Sequence, residues 1–216
     1  MAEPKSLSLD DTTTRSRILN AALELFATHG YAGTSIRQLA RAVGLRESSL
    51  YNHFDGKAAI YAALIDEHGP AVSADRLDSP RYHALSGDPA GFCRLYAAEL
   101  LELWTDRREM QFQELVMAER QRFPAQRDHY AEILFTRELG LVTDYFRDFA
   151  LRGLIYGANP RETARLFNGG LTFLRLEYVL MPTEPAPRAQ IAEALDRFVE
   201  TFLALVLSPR VAEAPE

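Results

Sequence analysis

Residues 34–54 read Thr-Ser-Ile-Arg-Gln-Leu-Ala-Arg-Ala-Val-Gly-Leu-Arg-Glu-Ser-Ser-Leu-Tyr-Asn-His-Phe, and the fold turns on them. Ile36, Leu39, Ala40 and Val43 recur at i, i+3, i+4 and i+7, which places apolar side chains along one face of a helix. Thr34 or Ser35 supplies its N-cap, and Gly44 interrupts it. A second short helix carries Leu50 and Phe54. Ala40 is small enough for the two helices to cross closely, with Leu39, Val43, Leu45 and Leu50 as the inner corner. This is a helix-turn-helix pattern, whose second helix can enter a major groove while the first crosses the backbone. With the apolar residues turned inward, Arg46, Glu47, Ser48, Ser49 and Asn52 face outward and can reach base edges. Such corners also occur in folds that bind no DNA.

Helical signals continue on both sides. Upstream, a helix opens near Thr14, presents Ile18, Ala22, Leu25 and Phe26 on one face, and closes at Gly30. Downstream, Asp55 caps a helix containing Ile60, Leu64 and Ile65. Pro70, Pro80 and Pro89 bend the chain over residues 69–91, after which Asp88-Pro89 starts a long helix bearing Phe92, Tyr96, Leu100, Leu103 and Trp104. Residues 109–123 and about 126–156 read as two more helices, divided around Pro124 and closed by Gly157. Asn159-Pro160-Arg161-Glu162 is a strong helix start, and Pro182, Pro185 and Pro187 separate the last two helices. The expected fold is all-α, with about nine helices.

The last two helices carry heptad-like seams. Ala164, Phe167, Leu171, Leu174 and Tyr178 step by 3, 4, 3, 4, and Ile191, Leu195, Phe198, Phe202 and Leu205 step by 4, 3, 4, 3. Two readings follow: the seams pack on each other and the body, or two copies of the chain join them in a four-helix bundle about a two-fold axis. The second makes Phe167, Leu171, Leu174, Tyr178, Leu195, Phe198 and Phe202 a dimer interface. Gly169-Gly170 inside the first of these helices lowers its propensity, a cost that close approach of another backbone would explain.

Composition limits the function classes. The 216 residues are 47% apolar and 25% charged, too apolar for a disordered chain. Cys93 is the single cysteine, which excludes an internal disulfide and fits a reduced setting. The apolar run Phe202–Leu207 is far short of a membrane span, and the N-terminus lacks a secretory signal, so a cytoplasmic protein without membrane contact is expected. The net charge is −6, but residues 12–57 hold six basic against three acidic residues, +3, leaving −9 on the rest. A mildly basic segment on an acidic body can bind phosphate while resisting loose contact. His29, His53, His68, His83 and His129 show no metal-ligand spacing, and no phosphate loop, dinucleotide pattern or nucleophile elbow is present. No catalytic constellation, metal site or cofactor is expected.

From Arg15 to Leu64 the chain resembles the DNA-binding head of the tetracycline-repressor (TetR) family. The resemblance rests on Ile18-Leu19-Asn20-Ala21-Ala22, Leu25-Phe26, His29-Gly30-Tyr31, Thr34-Ser35-Ile36, Leu39-Ala40, Gly44-Leu45 and Leu50-Tyr51-Asn52-His53-Phe54. It covers about a quarter of the chain; the helical body fits only in length and class. It implies a homodimeric transcriptional regulator, a repressor of a palindromic operator released by a small, mostly apolar effector. The implied division is a flexible arm over 1–12, a DNA-binding domain over 13–57, a ligand-binding and dimerisation domain over 58–208 and a tail over 209–216. Ser35, Arg37, Tyr51, His53 and Lys57 match positions that touch phosphates, and Arg46, Glu47, Ser48 and Ser49 match the base-reading part of the recognition helix. The plainer readings are a Tyr51 ring in the head's core, a capping or solvated His53 and a solvated Lys57. Glu47 departs from the basic or polar residue usual there; pairing with Arg46 or a nearby basic residue is the favoured explanation, and a hydrogen bond from cytosine N4 is the alternative. The alternatives are an all-helical enzyme or a dimeric protein-interaction module without specific DNA binding.

For the effector, Tyr96, Trp104, Phe112, Met117, Phe135, Leu139 and Phe173 are candidate pocket residues, with plain core as the competing reading. Glu99 interrupts the stripe Phe92, Tyr96, Leu103, where a carboxylate needs a partner. It is expected to lie at the edge of the helix contact, to pair with an arginine, or, as a pocket residue, to meet a cationic or hydroxyl-bearing ligand.

Overall fold

The computed structural model describes residues 13–68, 75–156 and 159–208. The expected arm over 1–12, the tail over 209–216 and the closing Gly157 lie outside them. The helices are α1 (Thr14–Gly33), α2 (Ile36–Ala42), α3 (Glu47–Tyr51), α4 (Lys57–His68), α5 (Pro80–His83), α6 (Pro89–Thr105), α7 (Arg107–Glu119), α8 (Pro124–Glu132), α9 (Leu139–Leu151), α10 (Pro160–Arg175) and α11 (Arg188–Val206). Among the described residues the only extended pairing is an isolated antiparallel bridge between Ile155 and Leu207. The all-α expectation holds.

The chain forms two compact units. One joins the N-terminal helices to Arg107–Ile133; the other contains Ala74–Asp106 and the chain from Leu134 onward. In the first unit, Thr13 Oγ1 accepts the Ser16 amide at 3.1 Å and opens α1. Ile18, Leu19, Ala22, Leu23 and Phe26 are buried along its inner face. Gly30, at φ +72°, kinks the helix where a left-handed residue was expected, and Tyr31–Gly33 continue as helix beyond it. Ser35 and Gln38 form a capping box at the start of α2, with amide contacts of 3.2 and 2.8 Å. Gly44, at φ +71°, turns the chain so that the Leu45 amide reaches Ala40 O at 2.8 Å. Leu39, Ala40 and Leu50 are at most 1% exposed and hold the α2–α3 corner. α7 packs along α1 and α8 meets α4, so 107–133 belong with the head rather than with the remaining body.

The second unit is built on an aromatic core of Phe92, Phe146, Phe149, Phe167 and Phe202, each at most 2% exposed. Asp88 caps α6 through the Gly91 amide at 2.8 Å, and Asn159 caps α10, as their sequences lead one to expect. Cys93 lies on the inner side of α6, fully buried. α9 packs on α10, and α11 packs on both α6 and α10.

Two local expectations are corrected. The single helix over 126–156 is three pieces: α8, a π-helical stretch over Ile133–Glu138, and α9. α9 ends at Leu151, and Gly153 at φ +70° supplies the left-handed residue expected of Gly157. The seams on α10 and α11 are largely intramolecular: Phe167, Leu171, Leu195 and Phe202 are at most 2% exposed. Phe167 stacks on Phe198 at 6.1 Å and meets Phe202 at 4.9 Å within the same chain. Gly170 follows the same logic, because a Cβ there would collide with the Phe198 ring. Gly169 faces open space.

Candidate nucleic-acid interface

The buried corner fixes which side chains remain outside. With Leu50 fully buried, Arg46, Glu47, Ser48, Asn52 and His53 are exposed, and Ser49 is half-buried. Tyr51 is 53% exposed, so its ring lies largely outside the core. On α2, Arg37 and Arg41 are both exposed and one helical turn apart on the same face. Arg41 is not among the expected site residues, although its i+4 relation to Arg37 is a usable signal. Among the described residues no salt bridge engages Arg37, Arg41, Arg46 or Glu47. The expected Arg46–Glu47 pair is therefore absent. Arg46 is the N-cap residue, in extended backbone at φ −78° and ψ 153°, and adjacent residues at a helix start do not face each other.

Two expected phosphate donors are committed internally. The Ser35 hydroxyl accepts the Gln38 amide and lies 2.7 Å from Gln38 Oε1. Lys57 Nζ donates to Tyr31 O at 2.5 Å and Thr34 O at 2.6 Å, and it sits 4.2 Å from the centre of the Tyr31 ring. Burial, with Arg122 nearby, pulls the Lys57 ammonium below its ordinary pKa. Other contacts brace the same corner. Arg17 donates to Val43 O at 2.9 Å behind the C-terminus of α2. Arg15 lies 4.4 Å over the Phe54 ring and pairs with Glu67 at 2.5 Å.

Residues 18–64 match the pattern of bacterial regulatory proteins of the tetR family, and residues 94–205 match the C-terminal domain of AefR-like transcriptional repressors. The chain belongs to the TetR family. A curated relative is the biofilm operon icaADBC HTH-type negative transcriptional regulator IcaR of Staphylococcus aureus, 40% identical over 47 residues. That match takes in 22% of this chain and 25% of IcaR, so the chain spans about a quarter of the length of this curated relative. Among solved structures, a TetR-family regulator from Mesorhizobium loti MAFF303099 is 24% identical, with a TM-score of 0.75 over 93% of this chain and 100% of that one. SmeT of Stenotrophomonas maltophilia, in complex with triclosan, is 20% identical with a TM-score of 0.69 over 94% of this chain and 97% of SmeT. At these identities the likeness is one of fold.

The expected effector residues are divided between the two units. Tyr96, Trp104 and Leu139 are buried in the second unit, whereas Phe112 and Met117 belong to the first. Met117, Phe135 and Phe173 are 50%, 69% and 65% exposed. Glu99 takes the ion-paired course. Its carboxylate lies 3.3 Å from both Arg76 and Arg81 and accepts the Tyr82 phenol at 2.7 Å. The Arg76 guanidinium also reaches Glu138 at 3.4 Å and lies 4.7 Å over the Tyr96 ring. Arg76, Tyr82 and Glu138 were not foreseen; only the misplaced carboxylate of Glu99 signalled that such a cluster exists. An open groove on the second unit is lined by Leu77, Asp78, His83, Leu141, Asp144 and Tyr145 among others, none of them an expected pocket residue.

Proposed function

We propose that this TetR-family chain is a transcriptional repressor that binds a palindromic operator as a homodimer and is released by a small, mostly apolar effector. The reading is carried by the outer face of α2 and α3, where Arg37, Arg41 and Arg46 carry no carboxylate partner among the described residues beside Ser48, Ser49 and Asn52. A cation without a partner over a rigid corner is free to meet phosphate. Arg37, Arg41, Tyr51 and His53 are assigned to the backbone, and Arg46, Ser48, Ser49 and Asn52 to base edges.

Dimerisation is assigned to a second apolar row on α10 and its π-helical continuation over Leu176–Leu180. Leu166, Phe173, Leu176 and Leu180 are 59%, 65%, 39% and 39% exposed, with the open Gly169 between the first two. These five positions step by 3, 4, 3, 4, the spacing of a helix–helix seam. Leu205 on α11, 69% exposed, and the half-buried Leu174, Tyr178 and Phe198 extend the apolar surface. For the effector, the support is the SmeT complex with triclosan, a small apolar phenol, on the same fold.

The test is selection of duplexes from a random pool by the full chain, followed by binding titrations over a range of salt. A two-fold-symmetric site preferred over random DNA is expected, with affinity falling steeply as salt rises. Retention of no sequence above background would remove the reading.

A further inference from the structure

We propose that the Arg122–Phe123 turn, far outside the 18–64 segment that matches the family's DNA-binding domain, is a positioning part of the DNA-binding unit, acting on α2 through Tyr31 and Lys57. The proposal rests on the DNA-binding reading above. The Phe123 ring lies 4.3 Å from Tyr61, stacked at 22°, and 4.8 Å from Tyr31, edge-on at 82°. Tyr61 is 1% exposed on α4, and Tyr31 is 8% exposed immediately after the break at Gly30. Phe123 thus fills the angle between α4 and the end of α1.

The turn is itself held. The Arg122 and Phe123 amides both donate to Glu119 O, at 2.9 and 3.1 Å, and Pro124 at the first position of α8 restricts the residue before it. Arg122 pairs with Glu119 at 2.8 Å and places its guanidinium 5.6 Å from the Tyr31 ring centre. Tyr31 therefore has Lys57 and Arg122 near its π-system and Phe123 against its ring.

From Tyr31 the contacts run directly to α2. Lys57 Nζ lies on the Tyr31 ring and bonds both Tyr31 O and Thr34 O. Thr34 Oγ1 donates to Gly30 O at 3.0 Å and Leu25 O at 3.1 Å, tying the same turn back to α1. The next residue is Ser35, the N-cap of α2. Lys57 acts here as a clamp on two carbonyls rather than as a phosphate donor, and Phe123 sets the position of the ring on which the clamp rests. A misplaced α2 carries α3 with it through the tight turn at Gly44.

The experiment uses the full-length chain, the duplex it selects and a random duplex, with Phe123→Ala, Phe123→Trp, Phe123→Leu and Lys57→Met. Wild-type protein that selects no duplex would count against the DNA-binding reading itself, not against this one. Given a selected duplex, Phe123→Ala should weaken its binding about tenfold, equivalent to about 1.4 kcal/mol. Binding to the random duplex and the salt slope should be unchanged, because no phosphate contact is lost. Phe123→Trp, which keeps a stacking face, should restore affinity. Lys57→Met should also lose specific affinity at constant slope. If Phe123→Ala melts below the assay temperature, Phe123→Leu carries the comparison, with a smaller loss expected on the selected duplex alone. Wild-type affinity in the folded Phe123 variants, or a Lys57→Met slope reduced by about 0.9, the signature of one phosphate, would overturn the proposal.

Discussion

The Tyr96 phenol donates to Glu138 Oε1 at 2.7 Å, and that carboxylate is 6% exposed. Arg76 at 3.4 Å is its cationic partner, so the acid depends on two donors inside an aromatic core. Removing one of them leaves a buried acceptor short of a hydrogen bond. Tyr96→Phe should lower unfolding stability by about 1–3 kcal/mol, read from urea denaturation. A variant as stable as wild type would mean that water or a rearranged Arg76 replaces the phenol.

The dimer assignment separates exposed from buried members of the last helices. Phe173→Glu alters a side chain that is 65% exposed in the chain, so the protein should stay helical but sediment as a monomer. Phe202→Asp would bury a charge beside Phe146 and Phe167, and loss of the fold is expected instead. A Phe173→Glu protein that remains dimeric at micromolar concentration would move the interface to another face.

Adjacent glycines should respond with opposite signs. Gly170→Ala must push the Phe198 ring aside, an overpacking cost of about 1–3 kcal/mol. Gly169→Ala meets nothing in the chain and should gain about 1 kcal/mol from helix propensity. If a second copy approaches at Gly169, the same variant should raise the dimer dissociation constant. Thermal melts and sedimentation equilibrium distinguish the two effects.

Glu47 and Ser49 give a paired test of base reading. The Glu47 carboxylate has no basic partner among the described residues, so Glu47→Gln should tighten binding to all DNA, by up to about fivefold for one relieved repulsion of ~1 kcal/mol. Ser49→Ala should instead change preference at one base pair of each half-site, by about 1–3 kcal/mol. Anisotropy titrations against single-base variants of the selected duplex would read both. If Glu47→Gln weakens only the selected site, Glu47 accepts a hydrogen bond from a base.

Alkaline pH should destabilise the first unit through Tyr61. Burial pushes this phenol up to about 12 from its ordinary value of 10.0. Between those pH values the unfolded chain has lost the proton while the folded chain keeps it, so stability falls as pH rises above 10. Tyr61→Phe should flatten that part of the stability curve, measured by denaturation across the alkaline range. An unchanged slope would assign the loss to Tyr31, Tyr82, Tyr96 or Tyr145, whose phenols are also raised.

What the sequence made legible was local. The N-cap of α2 at Thr34 or Ser35, the helix breaks at Gly30 and Gly44 and the N-caps Asp88 and Asn159 depend on residues within a few positions, and each has a chemical signature. The misreadings come from contacts distant along the chain. Nothing around Lys57 shows that Tyr31 O and Thr34 O will take its ammonium. Nothing around Phe123 shows that it will complete an aromatic cluster with Tyr31 and Tyr61. The heptad seam on α10 was visible, but periodicity does not say whether a seam faces its own chain or another. Here Phe167 and Leu171 face inward, while Leu166 and Phe173, one position earlier and two positions later, form the exposed row. The break over Ile133–Glu138 has no Pro or Gly to announce it.

The burial of Cys93 has a practical consequence. It is the chain's single thiol, it is fully enclosed on α6, and burial raises its pKa far above neutral, so almost none is present as thiolate. Maleimides and methanethiosulfonates should leave the wild-type protein untouched until it unfolds. A cysteine introduced by Ser48→Cys, on an exposed site, would then be the sole labelled position without removing the native one. In a two-fold assembly one such substitution provides a matched pair of spin labels. A single distance distribution would then report the spacing of the two recognition helices directly, before and after an added compound.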